Sequence, residues 1–264
     1  MFQFKQFAID DDQATMKVNS DAVLLGALAS TEGNVLRVLD VGTGSGIIAL
    51  MMAQRFTEAS VEAIDIDATT VAVAARNFAM SPWPQRLKAR CVSLQQLADD
   101  SPATDSGDET GFDLIVCNPP YFSNSLRNND PRKRMARHDD LLSLEALFEG
   151  AQRMLKASGY LSLIVPAEQE STLQKLSSAH NMALRAATTI HNRAADPAKR
   201  IVCSYVMSTH THLDDKLTSA EAKSSSNPRQ QAVPPSRLVM RNDEGSYSAA
   251  YRQLTEDYYL WLHE

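Results

Sequence analysis

Cysteine is scarce in this sequence, and a long apolar run is missing from it. The three cysteines, Cys91, Cys117 and Cys203, lie far apart and fit reduced core thiols better than disulfides or metal ligands. No apolar stretch is long enough to span a bilayer, and the first residues lack a basic region followed by an apolar segment and a cleavage site. We therefore expect a cytoplasmic protein that is not bound to a membrane.

A metal site is not expected either. His210 and His212 form the only close pair of histidines, and neither has a cysteine or acidic partner at metal-ligand spacing before Asp214. An excess of positive charge is also missing, since the net charge of −6 argues mildly against a general nucleic-acid binder. What the chain does have is an apolar fraction of 44% over 264 residues, which can bury a substantial core.

Strand patterns and helical patterns alternate from Val35 onward. This alternation predicts an α/β fold with a mostly parallel sheet covered by helices on both faces. The predicted strands are 35–41, 60–66, 87–92, 112–117, 159–165, 184–190 and 201–208. The predicted helices are 46–56, 68–80, 143–156 and 168–180.

The segments outside this alternation are expected to belong to the same single domain, 1–264. Residues 1–30 are predicted to form a hairpin that turns at Asp10–Asp12, followed by a helix that Asn19 or Ser20 caps. Residues 212–235 are polar and are predicted to form a mobile loop. An aromatic stripe is more typical of a core than of a base-stacking surface. It consists of Tyr251, Tyr258, Tyr259 and Trp261.

The tetrapeptide Asn118-Pro119-Pro120-Tyr121 follows an apolar strand and predicts methyl transfer to a planar nitrogen. The lone pair of such a nitrogen is delocalised, so it needs acceptors that hold it toward pyramidal geometry. The side-chain oxygen of Asn118 and the carbonyl of Pro119 can each accept one N–H bond. Pro119 and Pro120 stiffen the loop, and Tyr121 offers a ring for stacking. The alternative is a plain Pro-rich turn after a strand.

A glycine-rich turn lies upstream, between an apolar run and a helical pattern. Its glycines fall at Gly42, Gly44 and Gly46, whereas a dinucleotide fingerprint would need its third glycine at position 47, which is Ile. With Asp40 just before it, this G-x-G-x-G pattern resembles the first motif of class I S-adenosylmethionine-dependent methyltransferases. The turn is expected to approach the amino-acid end of that cofactor, although such turns also serve as plain connections.

Acidic residues end the next predicted strand, about 20 residues beyond the glycines, where a ribose-binding carboxylate belongs in such a fold. Asp65 can accept hydrogen bonds from both ribose hydroxyls, and we include its neighbour Ile66 in the predicted cofactor site. Asp67 is better placed to cap the helix that begins at Ala68. The alternative is that both acids only end a strand and start a helix.

Positive charge is concentrated in one segment that begins six residues after Tyr121. We call the tetrapeptide Asn118-Pro119-Pro120-Tyr121 the clamp. If the clamp holds an extruded base, the flanking phosphates would run along a basic loop beside it. A solvated loop leading into a helix remains the alternative. The basic residues are Arg127, Arg132, Lys133, Arg134 and Arg137, against the single acid Asp130.

The clamp alone does not separate adenine N6, cytosine N4, guanine N2 and the glutamine side-chain amide. Glutamine methyltransferases of release factors carry a helical domain before the glycine motif, and only 41 residues precede Gly42 here. DNA-adenine methyltransferases normally devote a sizeable module to the grooves, and none fits in this length. A non-catalytic RNA-binding module with the same fold is a further alternative.

The whole chain resembles the bacterial tRNA(Val)-specific adenine-37 N6-methyltransferases. The resemblance rests on the glycine and clamp motifs and on more specific segments near both ends. These segments are Phe4-Lys5-Gln6-Phe7, Met16-Lys17-Val18-x-Ser20-Asp21-x-x-Leu24-Leu25-Gly26-Ala27, Ser81-Pro82-Trp83, Arg237-Leu238-Val239-x-Arg241 and Tyr247-Ser248-x-Ala250-Tyr251.

The resemblance implies a Rossmann-like class I methyltransferase with a seven-stranded sheet and an antiparallel C-terminal hairpin. It implies S-adenosyl-L-methionine as cofactor, S-adenosyl-L-homocysteine as product, and adenine 37 in the anticodon stem-loop of tRNA(Val) as substrate, acted on by a monomer. The family usually places an acid after the third strand to bind the cofactor's adenine. Ser93 stands there instead, so we expect a weaker contact near Ser93 and Leu94. Lys17, Ser20 and Asp21 are expected to fold over the cofactor.

Overall fold

The computed structural model describes residues 1–11, 17–29, 31–100, 110–120, 142–208 and 236–261. The central strands carry nearly continuous apolar runs, as expected of parallel strands that are buried on both faces. The strands are β1 (Phe2–Gln3), β2 (Ala8–Ile9), β3 (Arg37–Val41), β4 (Ser60–Asp65), β5 (Leu87–Cys91), β6 (Phe112–Cys117), β7 (Leu155–Pro166), β8 (Met182–His191), β9 (Ala198–Met207) and β10 (Arg237–Val239).

The helices follow the apolar periodicity of the sequence and begin at side-chain caps in several cases. Asn19, Ser143 and Ser248 cap the helices that begin at Ser20, Leu144 and Ala249, each through a side-chain oxygen that accepts a backbone N–H bond. The helices are α1 (Ser20–Leu28), α2 (Ile47–Arg55), α3 (Ala68–Met80), α4 (Leu94–Asp100), α5 (Leu144–Met154), α6 (Glu170–Ala179) and α7 (Ala249–Leu254).

The main sheet has eight strands in the order β10-β8-β9-β7-β6-β3-β4-β5. All neighbouring strands run parallel except β9, which is antiparallel to both β7 and β8. The predicted Rossmann-like α/β fold with an antiparallel C-terminal hairpin is confirmed. The sheet has one strand more than the sequence predicted, because the short β10 pairs with the outer edge of β8.

The N-terminal hairpin turns earlier than the sequence suggested. β1 pairs with β2, and the turn closes between Phe4 and Phe7 through a backbone hydrogen bond of 2.8 Å. The two rings are buried and stack with centroids 4.6 Å apart, which favours this tighter turn. The prediction that the hairpin turns at Asp10–Asp12 is therefore wrong, since Asp10 follows β2, and Asp12 lies outside the described residues.

The aromatic stripe near the C-terminal end belongs to the core, as the sequence predicted. Tyr251 and Tyr258 are buried, and Tyr259 stacks on Phe4 with ring centroids 5.7 Å apart. Tyr258 also accepts the backbone N–H of Lys5 through its carbonyl. The N-terminal hairpin and the C-terminal segment thus pack against each other.

Two helix contacts depend on a missing Cβ. A Cβ on Gly26 of α1 would lie 2.5 Å from Sδ of Met51 in α2, and a Cβ on Gly150 of α5 would lie 2.8 Å from Cδ2 of Leu94 in α4. Both pairs of helices approach closely at these points. Among the described residues, no helix is long and apolar enough to cross a bilayer.

Candidate active site at the carboxyl edge of the sheet

The register of the parallel strands brings the predicted motifs to one edge of the sheet. Val41 at the end of β3 pairs with Cys117 at the end of β6 and with Ile64 of β4. Asp65 at the end of β4 pairs with Cys91 at the end of β5. Gly42, Asp65 and Asn118 therefore lie at the ends of neighbouring strands at the same edge, where ligands bind in open α/β sheets.

The glycine turn has the backbone conformation that its sequence demands. Gly42, Gly44 and Gly46 have φ angles of 70°, 57° and 85°, in the left-handed region. The backbone N–H groups of Gly42 and Thr43 donate to the Ile64 carbonyl at 2.9 and 3.0 Å. A Cβ on Gly42 or Gly44 would meet no described heavy atom within 4 Å, so open space lies beside this part of the turn.

Gly46 has a packing role that the spacing of the motif did not reveal. A Cβ at this position would lie 2.5 Å from Cε1 of Phe78 in α3. Gly46 also occupies the N-cap position of α2, which therefore begins without a capping side chain. Its lack of a side chain allows α2 and α3 to approach, so the third glycine is required by packing irrespective of any ligand.

Asp40 lies beneath the turn and is completely buried. Its Oδ2 accepts the Thr43 hydroxyl at 2.6 Å and the Ala49 backbone N–H at 3.1 Å, which ties β3 to the turn and to α2. Its Oδ1 is buried and has no hydrogen-bond partner among the described residues. Burial raises the carboxyl pKa from 3.8 to about 7, and the two hydrogen bonds only partly oppose this rise.

The raised pKa of Asp40 predicts a pH-dependent stability that Asp40→Asn removes. Between pH 4 and pH 7 the folded state holds a proton that the unfolded state has released, so stability falls as pH rises through this window and levels off above about 7. The free energy of unfolding of Asp40→Asn minus that of the native chain should therefore increase by about 2 to 3 kcal/mol from pH 5 to pH 8. Urea unfolding without cofactor measures both free energies, and a difference that does not change with pH would contradict the prediction.

Asp65 supports the same turn from β4. Its Oδ2 accepts the Gly44 N–H at 3.2 Å, and its Oδ1 accepts the Asp67 N–H at 3.1 Å. Each carboxylate oxygen has a further acceptor site. Asp67 caps α3, with Oδ1 accepting the Thr69 N–H at 2.9 Å and Oδ2 accepting the Thr70 hydroxyl at 3.0 Å, so the predicted cap is confirmed. These bonds lower the pKa of Asp67.

A cavity of about 530 Å³ opens along this edge. It begins at the glycine turn, passes Asp65 and reaches the start of α4, and Pro120 of the clamp lies on its wall. Asp65 is the only acidic residue among those lining it within the described part of the chain. The lining residues are Val41, Gly42, Ile64, Asp65, Ile66, Val92, Ser93, Leu94, Gln95, Gln96, Pro120 and Leu142.

The predicted site residues divide into two groups. Gly42, Asp65, Ile66, Ser93, Leu94 and Pro120 line the cavity. The other predicted site residues that the structure describes do not line the cavity and lie beneath it or beside it: Asp40, Gly44, Gly46, Asn118 and Pro119.

Asn118 is the first residue beyond β6 and is 7% exposed. Pro119 is buried beside it, whereas Pro120 is exposed toward the cavity. Because Cys117 pairs with Val41, Asn118 leaves the sheet next to Gly42. The clamp and the glycine turn are therefore neighbours.

Ser93 is the cap of a helix that the sequence prediction missed. Its Oγ accepts the Gln96 N–H at 3.2 Å, while Gln96 Oε1 accepts the Ser93 N–H at 3.1 Å and lies 3.2 Å from Ser93 Oγ. This reciprocal pairing is a capping box at the start of α4. The pattern Ser-x-x-Gln was the available signal, and it explains why a serine stands at this position.

Asn77 is a further residue of the site that the sequence analysis missed. It is completely buried in α3, and its Nδ2 donates to the Ser45 carbonyl at 2.8 Å and to the Asp10 carbonyl at 3.1 Å. Its Oδ1 accepts the Asp10 N–H at 2.9 Å. Asn77 therefore fixes the end of the N-terminal hairpin to the glycine turn.

The N-terminal helix is tied to the antiparallel part of the sheet. Asp21 accepts a bond from Arg200 of β9 at 2.8 Å, and Arg200 pairs with Pro166 at the carboxyl end of β7. Lys17 lies 3.9 Å from Asp11, whose carboxylate also accepts the Val18 N–H. Asp21 thus holds α1 at this edge of the sheet, and the expected contact of Lys17, Ser20 and Asp21 with a cofactor stays a prediction.

Several predicted features lie outside the described residues. They are Tyr121, the basic segment with Arg127, Arg132, Lys133, Arg134 and Arg137, the His210 and His212 pair, and the polar stretch 212–235. Within the described ranges, no group of three or more His, Cys, Asp or Glu residues could hold a metal ion.

Comparison with known proteins links this chain to methyl transfer. Residues 18–193 match the family model described as "Methyltransferase small domain". A crystal structure of a predicted O-methyltransferase, protein Atu636 from Agrobacterium tumefaciens, aligns with a TM-score of 0.60 at 19% identity, covering 90% of this chain and 96% of that one. This structural likeness concerns the fold alone.

Curated relatives match over nearly their whole length. A tRNA1(Val) (adenine(37)-N6)-methyltransferase from Christiangramia forsetii is 32% identical over 261 residues, 99% of this chain and 98% of that protein. A protein with the same name from Phocaeicola vulgatus is 36% identical over 259 residues, 98% of this chain and 97% of its own. A third, from Shewanella putrefaciens, is 34% identical and covers 99% of both chains.

Proposed function

The chain belongs to the family of tRNA1(Val) (adenine(37)-N6)-methyltransferases, and on this premise we propose that it methylates N6 of adenine 37 in the anticodon loop of tRNA(Val). It is an S-adenosyl-L-methionine-dependent enzyme. The observation that carries the proposal is the register that sets Asn118 beside Gly42, because it brings a nitrogen-binding clamp next to a cofactor turn.

The described residues fit the cofactor. The open left-handed turn at Gly42 and Gly44 leaves backbone accessible to its amino-acid end, and the buried Oδ1 of Asp40 offers an unused acceptor near that turn. Asp65 has acceptor sites left for the ribose hydroxyls, and the cavity continues past it to the end of β5. When bound, S-adenosyl-L-methionine supplies a methyl group on a sulfonium centre, and S-adenosyl-L-homocysteine is the product.

The proposed task of the clamp is to make the substrate nitrogen nucleophilic. The Asn118 Oδ1 and the Pro119 carbonyl each accept an N–H of the adenine amino group, which draws its lone pair out of the ring and aims it at the cofactor. Pro119 and Pro120 hold these acceptors in place because their φ angles are fixed. Tyr121 is proposed to stack on the base. A strong general base is not needed, since the amino proton becomes acidic once the nitrogen is alkylated.

The remaining parts of the proposal concern the RNA substrate, the cellular compartment and the oligomeric state. The basic segment with Arg127, Arg132, Lys133, Arg134 and Arg137 is proposed to contact phosphates beside the extruded adenine, because it follows the clamp directly in sequence. An anticodon loop is single-stranded, so extrusion is easier than from a duplex. We also propose that the protein acts in the cytoplasm, where tRNA is found, as a single-domain monomer without a metal.

Detection of the methylated nucleoside in tRNA tests the proposed function. Purified protein, labelled cofactor and bulk tRNA from a strain lacking the gene should yield N6-methyladenine, and mapping should place it at position 37 of tRNA(Val) alone. Release factor incubated in parallel tests glutamine methylation. Label in release factor, or in tRNA at a different position, would contradict the proposal.

A further inference from the structure

The far end of the cofactor cavity has an unusual chemical lining. If the glycine turn holds the amino-acid end of the cofactor and Asp65 holds its ribose, as proposed above, the base would reach the end of β5. Val92, Ser93, Gln95 and Gln96 line the cavity there. An adenine base presents an amino group that needs an acceptor and ring nitrogens that need donors. Among the described lining residues at this end, the polar side chains are a hydroxyl and two amides, with no carboxylate.

Ser93 is poorly suited to accept the amino group. Its hydroxyl already accepts the Gln96 N–H and lies 3.2 Å from Gln96 Oε1, within the capping box that starts α4. Moving it toward a base would break this box and weaken the start of the helix. The hydroxyl therefore has a structural task.

The two glutamines differ in what they can still offer. Gln96 Oε1 is 3.1 Å from the Ser93 N–H and 3.2 Å from the Ser93 hydroxyl, so its amide has mainly donors left. The side-chain amide of Gln95 makes no hydrogen bond to the part of the chain that the structure describes, and it is exposed on the cavity wall. Gln95 thus retains both an acceptor and two donors.

We propose that Gln95 determines base specificity in the cofactor site, by pairing its side-chain amide with the amino edge of the adenine. Gln95 Oε1 accepts the exocyclic amino group while Nε2 donates to a neighbouring ring nitrogen, which is the two-point pairing that Gln forms with adenine edges. The inference rests on the proposed cofactor. It assigns to Gln95 the acceptor role that an acid at position 93 would otherwise have.

An amide differs from a carboxylate in a way that binding can measure. Rotation by 180° exchanges its oxygen and nitrogen, so an amide can also pair with a base that carries a carbonyl and a ring N–H in place of the amino group. A carboxylate can only accept, so with either base it keeps one hydrogen bond and loses the other, because it turns an oxygen toward the adenine ring nitrogen or toward the carbonyl. Specificity at Gln95 is therefore expected to be permissive, and Gln95→Glu should weaken both ligands.

The experiment is titration calorimetry of the full chain with S-adenosyl-L-homocysteine and with its inosine counterpart. In the native chain the two Kd values should agree within about threefold, and Gln95→Glu should weaken both ligands by about fivefold to tenfold. Gln95→Leu, which removes the amide and leaves an apolar side chain, should weaken the adenosyl ligand about fivefold to tenfold. Gln174→Glu, the same change on an exposed site of α6, should leave both constants unchanged.

The outcomes separate this inference from the proposed function. Native affinity for S-adenosyl-L-homocysteine in Gln95→Leu, or a native inosyl Kd more than about tenfold above the adenosyl Kd, would overturn the role of Gln95 and leave the proposed function intact. The same would hold if Gln174→Glu weakened both ligands as much as Gln95→Glu, since net charge would then explain the effect. Failure of the native chain to bind either ligand would overturn both.

Discussion

Asn118→Ala is expected to lower turnover by about 100-fold to 1000-fold while cofactor affinity stays within about twofold of the native value. The substitution removes one of two proposed acceptors for the amino nitrogen, and an acceptor that acts mainly in the transition state affects kcat more than binding. Asn118 does not line the described cofactor cavity, which is why affinity should survive. Single-turnover methylation of tRNA gives the rate, and titration with S-adenosyl-L-homocysteine gives the affinity.

Asn118→Asp is the matched variant for this prediction. It keeps the length of the side chain and an acceptor oxygen, but adds a carboxyl group next to a buried region that already contains Asp40. Its rate should fall between those of the native chain and Asn118→Ala, because the acceptor remains while its charge is poorly solvated. An Asn118→Ala rate within about threefold of native would remove the main argument for the clamp.

The sequence predicted those features of the site that depend on strand ends. Gly42 and Asn118 each follow an apolar strand and Asp65 ends one, and parallel strands bring their carboxyl ends to one edge. The glycines tolerate the left-handed φ angles of the turn because they lack a Cβ. For these residues, local pattern and fold point to the same arrangement.

Other features depend on contacts between residues far apart in sequence. Gly46 meets Phe78, and Asn77 bonds to Ser45 and Asp10, none of which a periodicity analysis of single segments could pair. The family pattern predicts an adenine contact at position 93, whereas the structure shows that Ser93 caps α4. Three consecutive acids favour a turn in the sequence, but the stacking of Phe4 on Phe7 places the hairpin turn between those two residues.

Asp65→Asn is expected to weaken binding of S-adenosyl-L-homocysteine by about tenfold to 100-fold, while turnover at saturating cofactor changes much less. A carboxylate can accept from both ribose hydroxyls while still holding the Gly44 and Asp67 N–H groups. The amide replaces one acceptor oxygen with a donor, which either faces a backbone N–H or fails to accept from a hydroxyl. Calorimetric titration and a cofactor dependence of the methylation rate measure the two quantities.

Asp67→Asn is the control that separates the local role of Asp65 from the general effect of losing one negative charge. It makes the same chemical change two residues away, on a side chain that caps α3, and asparagine is an equally good N-cap. Cofactor affinity should therefore stay near native in Asp67→Asn. Equal weakening in both variants would show that charge near the turn governs binding. In that case the hydrogen bonds of Asp65 would matter chiefly for the shape of the glycine turn, and the ribose would have to be recognised by other groups.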